Sequence, residues 1–156
     1  MNSRMKGFGR GLFLAFALIS PQGLSAGQAA SEQEPLENEY VPAERIPFAF
    51  EAPGQPQQLG PLWGRRAAGP AGTLLKVPAG FRAPIHAHTA DYRAVVITGV
   101  WTHWVPETNE GQGLELRPGA YWTQKADQMH GDACVSDTEC VILLINEDPY
   151  ETYLPE

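Results

Sequence analysis

The sequence predicts an all-β domain closed into a single sandwich or jelly-roll barrel, and three observations carry that expectation. Charged residues make up only 19 % of the chain, while Gly (16) and Pro (14) are abundant. That is poor material for polar helical faces and good material for turns. From Ile46 onward, apolar residues come in short bursts rich in Val, Ile, Tyr and Trp, the types that fit a pleated, half-buried surface. None of the bursts keeps a helical period.

The first 26 residues read as a secretory signal. Arg4, Lys6 and Arg10 form a basic start and Leu12 to Ile19 a short apolar run. Pro21 and Gly23 break that run before Leu24-Ser25-Ala26. A bilayer-spanning helix needs about 20 apolar residues, so the segment is too short to be one. Cleavage is expected near Ala26, with Ala29 as the second choice, leaving a periplasmic or secreted protein with no membrane segment. Residues 27–45 hold five Glu and no sustained period; they read as a flexible acidic leader. The folded domain is then 46–156. Its expected strands lie in Phe48 to Phe50, Leu59 to Trp63, Thr73 to Val77, Tyr92 to Val105, Leu114 to Leu116, Ala120 to Thr123, Met129 to Val135 and Val141 to Ile145. Turn signals such as Pro53-Gly54, Gly69-Pro70, Pro78-Ala79-Gly80 and Pro118-Gly119 separate them.

Charge narrows the partners. The chain carries 11 basic and 18 acidic residues, net −7, and losing the three basic residues of the signal makes it −10. Arg65-Arg66 is the one adjacent basic pair. A nucleic-acid partner is not expected, because phosphate neutralisation needs clustered Lys and Arg. Two cysteines, Cys134 and Cys140, enclose Val-Ser-Asp-Thr-Glu. In an oxidising compartment such a pair forms a disulfide, here expected to staple two adjacent strand ends across a hairpin tip. A Gly-x-Ser-x-Gly elbow, phosphate-binding Gly loops and Cys-x-x-Cys pairs are all missing from the sequence.

The chemistry lies in the histidines, His86, His88, His103 and His130. On a strand, residues i and i+2 share a face, so His86 and His88 can point into one interior. A third imidazole from another strand would close three corners of a coordination sphere and leave the rest for water or substrate.

Gly80-Phe-Arg-Ala-Pro-Ile-His86-Ala-His88, with Gly99 eleven residues beyond His88, resembles the first cupin motif. Gly119 followed eleven residues later by His130 resembles the second more loosely. The surrounding text, Leu62-Trp63-Gly64, Gly72-Thr-Leu-Leu-Lys-Val-Pro-Ala-Gly80 and Gly119-Ala-Tyr-Trp-Thr-Gln124, is similar to an uncharacterised family of exported cupin-like proteins. The resemblance implies a double-stranded β-helix with a metal in its mouth, held by His86, His88 and His130, and a possible homodimer. Where most cupins place a ligand Glu, four residues after the second His, this chain has Tyr92. A phenol, with an ordinary pKa near 10, is a poor ligand for most divalent metals. A three-His site is therefore expected, with Asp91 on the opposite strand face. Three imidazoles suit Zn, Fe, Mn, Ni and Cu to differing degrees, so the identity of the metal stays open.

Several residues surround this expected site. If Gly99-Val100 is a two-residue hairpin turn, His103 pairs with Val96 and lies about 13 Å along the strand from Tyr92. His103 is then a pocket or second-layer residue, or a surface histidine beside Trp101 and Trp104. Tyr92 is either a proton donor to substrate or ordinary core. Gln124 is a polar neighbour within reach of the cavity and a candidate positioning group. Trp63, Trp101, Trp104, Tyr121 and Trp122 either line a pocket or fill the core, and Arg82 and Arg93 either anchor a carboxylate or are solvated. The expected function is a metal-dependent small-molecule enzyme of oxygenase, isomerase or decarboxylase type. The alternative is a non-catalytic exported protein that holds a metal or small ligand.

Overall fold

The computed structural model describes residues 37–156. The expected signal peptide and most of the acidic leader lie outside the described residues. The compact unit runs Glu39–Glu156. Residues 39–45 are exposed and hold a short 3-10 turn at Ala43–Arg45. No α-helix occurs among the described residues, so none is long and apolar enough to cross a membrane.

Ten strands follow: β1 Ala49–Phe50, β2 Gln58–Gly64, β3 Ala71–Val77, β4 Ala87–His88, β5 Tyr92–Thr98, β6 Trp101–Trp104, β7 Tyr121–Gln124, β8 Gly131–Cys134, β9 Cys140–Asn146 and β10 Thr152–Tyr153. The expected burst Leu114 to Leu116 forms no strand; Leu116 makes a single bridge to Trp101. Six strands form one antiparallel sheet in the order β1-β2-β3-β9-β5-β7. The other face is built from two ladders, β10-β4 and β6-β8, joined by the bridges Arg82↔Ala133 and His86↔His130. The whole is the all-β jelly roll that the composition predicts.

Alternation along each strand sorts the side chains. On β5, Tyr92, Ala94 and Val96 are buried while Arg93 faces solvent; on β9, Cys140, Ile142 and Leu144 enter the core. Together with Val77, Trp101, Leu116 and Tyr150 they form one cluster spanning both faces of the barrel. On β6 the same rule turns Trp101 and His103 inward and leaves Thr102 and Trp104 half-buried. Trp104 covers its register partner Gly131, and Trp63 covers Gly72. A Cβ on either glycine would sit within about 2.3 Å of the indole, so these two tryptophans pack against the backbone of a neighbouring strand. Trp63 and Tyr121 are more than half exposed or at that level, at 50 % and 55 %, which excludes them from a pocket lining.

Two sequence expectations need correction. The Gly99-Val100 turn does not make a β5–β6 hairpin. A bulge after Val96 bends β5, and Gly99, at φ +80°, carries the chain across to the other face, where β6 pairs with β8. His103 is therefore opposite Asp132, while Val96 is opposite Ile142. The Cys134–Cys140 disulfide is present, but its strands are not ladder neighbours. β8 belongs to one face and β9 to the other, so the bridge fastens the two layers together.

Gly99 is the corner on which this crossing turns. A Cβ there would lie 2.6 Å from Cys140 Sγ and 2.9 Å from the Glu139 carbonyl, and a left-handed backbone is strained for any other residue. Gly99→Ala is expected to cost about 2 kcal/mol or more. Thermal melts of the variant beside wild type check this; an unchanged midpoint would show that the corner relaxes freely.

Candidate metal centre

The site is assembled around a short stretch of β8 and the residue before it. His130 and His86 exchange both backbone hydrogen bonds, at 2.9 and 3.0 Å, and their rings lie 4.3 Å apart. Two residues on, Asp132 shares the face of His130 and pairs on its other side with His103 of β6. His88 enters from β4, 4.8 Å from the His86 ring and 5.0 Å from that of His130. All four histidines and Asp132 are buried.

Local hydrogen bonds orient the imidazoles. Nδ1 of His86 donates to the Pro84 carbonyl at 2.8 Å and Nδ1 of His130 to that of Gln128 at 2.9 Å. Nδ1 of His88 meets the Thr152 hydroxyl at 3.1 Å. The His86 and His130 rings are thereby left with Nε2 as the free lone pair, the arrangement metal-binding histidines use. Nε2 of His130 is fully buried and has no hydrogen-bond partner. A buried nitrogen in that state costs about 1 to 3 kcal/mol unless something binds it.

Asp132 supplies the carboxylate that the sequence reading did not find. Its Oδ1 accepts from Trp101 Nε1 at 3.0 Å and His103 Nδ1 at 2.8 Å. Its Oδ2 lies 3.7 Å from His86 Nε2 and 3.6 Å from His130 Nε2. Two ligands at tetrahedral angles around a metal with bonds of about 2.05 Å are roughly 3.4 Å apart. Ligand atoms of His86, His88 and His130 lie within 4.8 Å of one another, as do those of His103, His130 and Asp132. The cluster can hold a divalent metal ion.

His103 is excluded from that set by its own bonds. Its Nε2 faces Gln124 Oε1 at 2.9 Å and its Nδ1 faces Asp132. The Gln124 amide nitrogen donates to the Lys125 and Gln128 carbonyls, which fixes its oxygen toward the imidazole. With an acceptor facing each nitrogen, His103 is placed to donate through both. Burial alone would push its pKa down. The hydrogen bond and charge of Asp132, with the Gln124 bond, outweigh burial and raise it. Burial would likewise raise the Asp132 carboxyl, but the His103 hydrogen bond and the neighbouring imidazole charges hold it below the usual range. Burial, then the neighbouring His86 and His130 charges, lower His88 to about 2. Burial also lowers His130 to about 4. The cluster thus sets the imidazoles of His88 and His130, held neutral by burial, beside one anchored carboxylate.

A cavity of about 660 Å³ opens onto His86, His88, Tyr92 and Asp132, walled by Leu75, Phe81, Trp101, Trp122, Ile142 and Leu144. Tyr92 stands 5.3 Å from the His88 ring, and its hydroxyl receives Trp122 Nε1 at 3.4 Å. Burial raises its pKa well above 10, so it faces the cavity as a neutral phenol. Trp122 lines the cavity and stacks on His103. Gln124 is buried behind His103 and does not line the cavity. Arg93 points outward, 3.8 Å from Glu147, and takes no part in the pocket. Asp91 is exposed and accepts from the Ala126 amide.

This barrel with an internal histidine cluster has the cupin fold. It superposes on an RmlC-like cupin from Ralstonia eutropha with TM-score 0.57, 18 % identity, and coverage of 72 % of this chain and 70 % of that one. KdgF from Halomonas sp. gives 0.55 at 19 % identity, over 71 % and 94 %. The polyketide cyclase RemF from Streptomyces resistomycificus gives 0.59 at 16 %, over 77 % and 88 %. At these identities the likeness establishes the fold alone. The chain belongs to the family described as Domain of unknown function (DUF4437), whose model matches residues 53–153. No curated protein matches the sequence.

The depressed histidines give the metal-free protein a defined acid response. His88 and His130 have folded pKa values below the ordinary 6.5, so between 6.5 and 4 the unfolded chain binds more protons. Their stabilisation is present above pH 6.5 and is lost as pH falls, by about 1.4 kcal/mol per unit for each fully titrating group. Melting temperatures of chelator-treated protein are expected to drop from pH 6.5 to 4, and less steeply in His88→Gln. A flat profile would contradict the burial of neutral imidazoles.

Proposed function

We propose that the barrel holds one divalent transition metal on His86, His88, His130 and Asp132, and acts on a small molecule outside the cytoplasm. The observation that carries this reading is the buried, unpartnered Nε2 of His130, facing Asp132 Oδ2, which His86 Nε2 also approaches. The donor set of imidazoles and one carboxylate suits Zn, Fe, Mn, Ni or Cu. A metal there would supply Lewis-acid polarisation of an oxygen-donor substrate.

The protein's own residues then divide the work. The His103–Asp132 pair holds the carboxylate in place through Oδ1, and Gln124 holds His103, so both are positioning residues. Tyr92, a neutral phenol at the cavity wall, is the candidate proton donor or hydrogen-bonding partner of a substrate oxygen. The apolar walls exclude water and select a ligand with a hydrocarbon body. Reactions of isomerase, lyase or oxygenase type are consistent with these parts. Export is supported by the signal-like start of the sequence and by the disulfide, which persists in oxidising compartments.

Elemental analysis of protein purified from the periplasm without added metal tests the site. Wild type is expected to carry about one equivalent, and His86→Ala/His88→Ala none; Asp132→Asn is expected to weaken retention about 10- to 100-fold. Equal metal in wild type and the double variant would sink the assignment. Metal without turnover on small oxyacids and diols would favour a non-catalytic holding role. The same preparation should begin at Gly27, as read by mass spectrometry of the intact chain.

A further inference from the structure

The mouth of the cavity carries a feature that the metal centre does not use. Arg66 lies on the loop between β2 and β3 with its side chain 20 % exposed, and its guanidinium meets Glu51 Oε1 at 2.5 Å. Both residues line the cavity. The other oxygen of Glu51 receives only a long bond from Gln57 Nε2, at 3.4 Å. The backbone of Arg66 is held firmly: its carbonyl accepts from the Tyr150 amide at 2.9 Å and from Asn146 Nδ2 at 3.3 Å. The backbone at Arg66 is thus tied to β9 and the chain after it, while Glu51 sits on the loop between β1 and β2, its amide donating to the Gln57 carbonyl at 3.2 Å.

The distance to the metal centre is bounded. The guanidinium carbon lies 5.1 Å from the centroid of the Tyr150 ring, and that ring stacks 4.3 Å from His88. Arg66 is therefore no more than 9.4 Å from the His88 imidazole. Both pack against the Tyr150 ring, and Leu75, Phe81 and Leu144 are among the apolar residues that line the same cavity. A guanidinium is built to take a carboxylate through two parallel N–H bonds, and here one of the protein's own carboxylates already occupies it.

We infer that Arg66 anchors the anionic end of the substrate and that Glu51 is its internal placeholder, displaced when ligand enters. The ligand class is a small carboxylate with an apolar body, its carboxyl group on Arg66 and its other end directed to the His86–His88–Asp132 floor. This deepens the proposed function and rests on its reading of the cavity as a small-molecule site.

The probes are 4-phenylbutyrate and its neutral analogue 4-phenylbutan-1-ol, titrated into the mature protein by tryptophan fluorescence, since Trp101 and Trp122 line the cavity. Both zinc-loaded and chelator-treated protein are used. The acid is expected to bind at least 10-fold more tightly than the alcohol. Glu51→Gln should tighten the acid about 5-fold by removing the competing carboxylate, and Arg66→Gln should erase the preference; neither should move the alcohol. Equal binding of the two probes to wild type, or no saturable binding of the acid, overturns the inference without recourse to variants. So does weaker acid binding in a folded Glu51→Gln protein, or a preference lost in Arg82→Gln and kept in Arg66→Gln. If zinc does not bind but the acid preference survives in metal-free protein, the metal reading fails and the Arg66 anchor stands.

Discussion

The site depends on where three residues of one chain segment are held. His130, Gly131 and Asp132 run between two other segments, so that His130 is bridged to His86 on one side and Asp132 is paired with His103 on the other. The i, i+2 rule puts His130 and Asp132 on the same face, and backbone pairing then delivers an imidazole from each flank. No long side chain has to search for its place. Gly131 leaves room for Trp104 to lie against the outer surface of the same segment, which covers the back of the cluster.

Two electrostatic regimes sit within a few ångströms. His88 and His130 are kept neutral by burial, while His103 and Asp132 each favour the charged form of the other. Such a close pair in a dry interior survives because its remaining hydrogen-bonding capacity is filled, by Gln124 at the imidazole and Trp101 at the carboxylate. One carboxylate oxygen is fully engaged and the other is aimed at the lone pairs of His86 and His130. A network that is complete on one side and open on the other is what an ion-binding site requires before the ion arrives.

Much of the fold was legible in the sequence because strand alternation and turn residues are local properties. The bursts at Thr73 to Val77, Ala120 to Thr123 and Val141 to Ile145 nearly coincide with β3, β7 and β9. What failed was pairing, which is not local. Gly99-Val100 reads as a hairpin turn, but a bulge and a positive φ send the chain to the opposite layer, and His103 lands beside Asp132. The carboxylate was missed for a related reason. The cupin motif has its Glu at position 92, whereas here the signal is the spacing His130-Gly-Asp132, which repeats the logic of His86-Ala-His88. Arg93 is adjacent to Tyr92 in sequence, but strand alternation places it outside.

The arrangement of fastenings along β9 has a mechanical consequence. At the Cys140 end the two layers are joined covalently. At the other end of the strand, Asn146 Nδ2 donates to the Arg66, Gly69 and Asp148 carbonyls, which ties the β2–β3 loop and the chain after β9 to their own sheet. Seven residues of strand, about 20 Å, separate the two. The covalent fastening between the layers thus lies at the end of β9 remote from Arg66 and Tyr150, and the part of the cavity wall that these two residues form is held without a covalent tie.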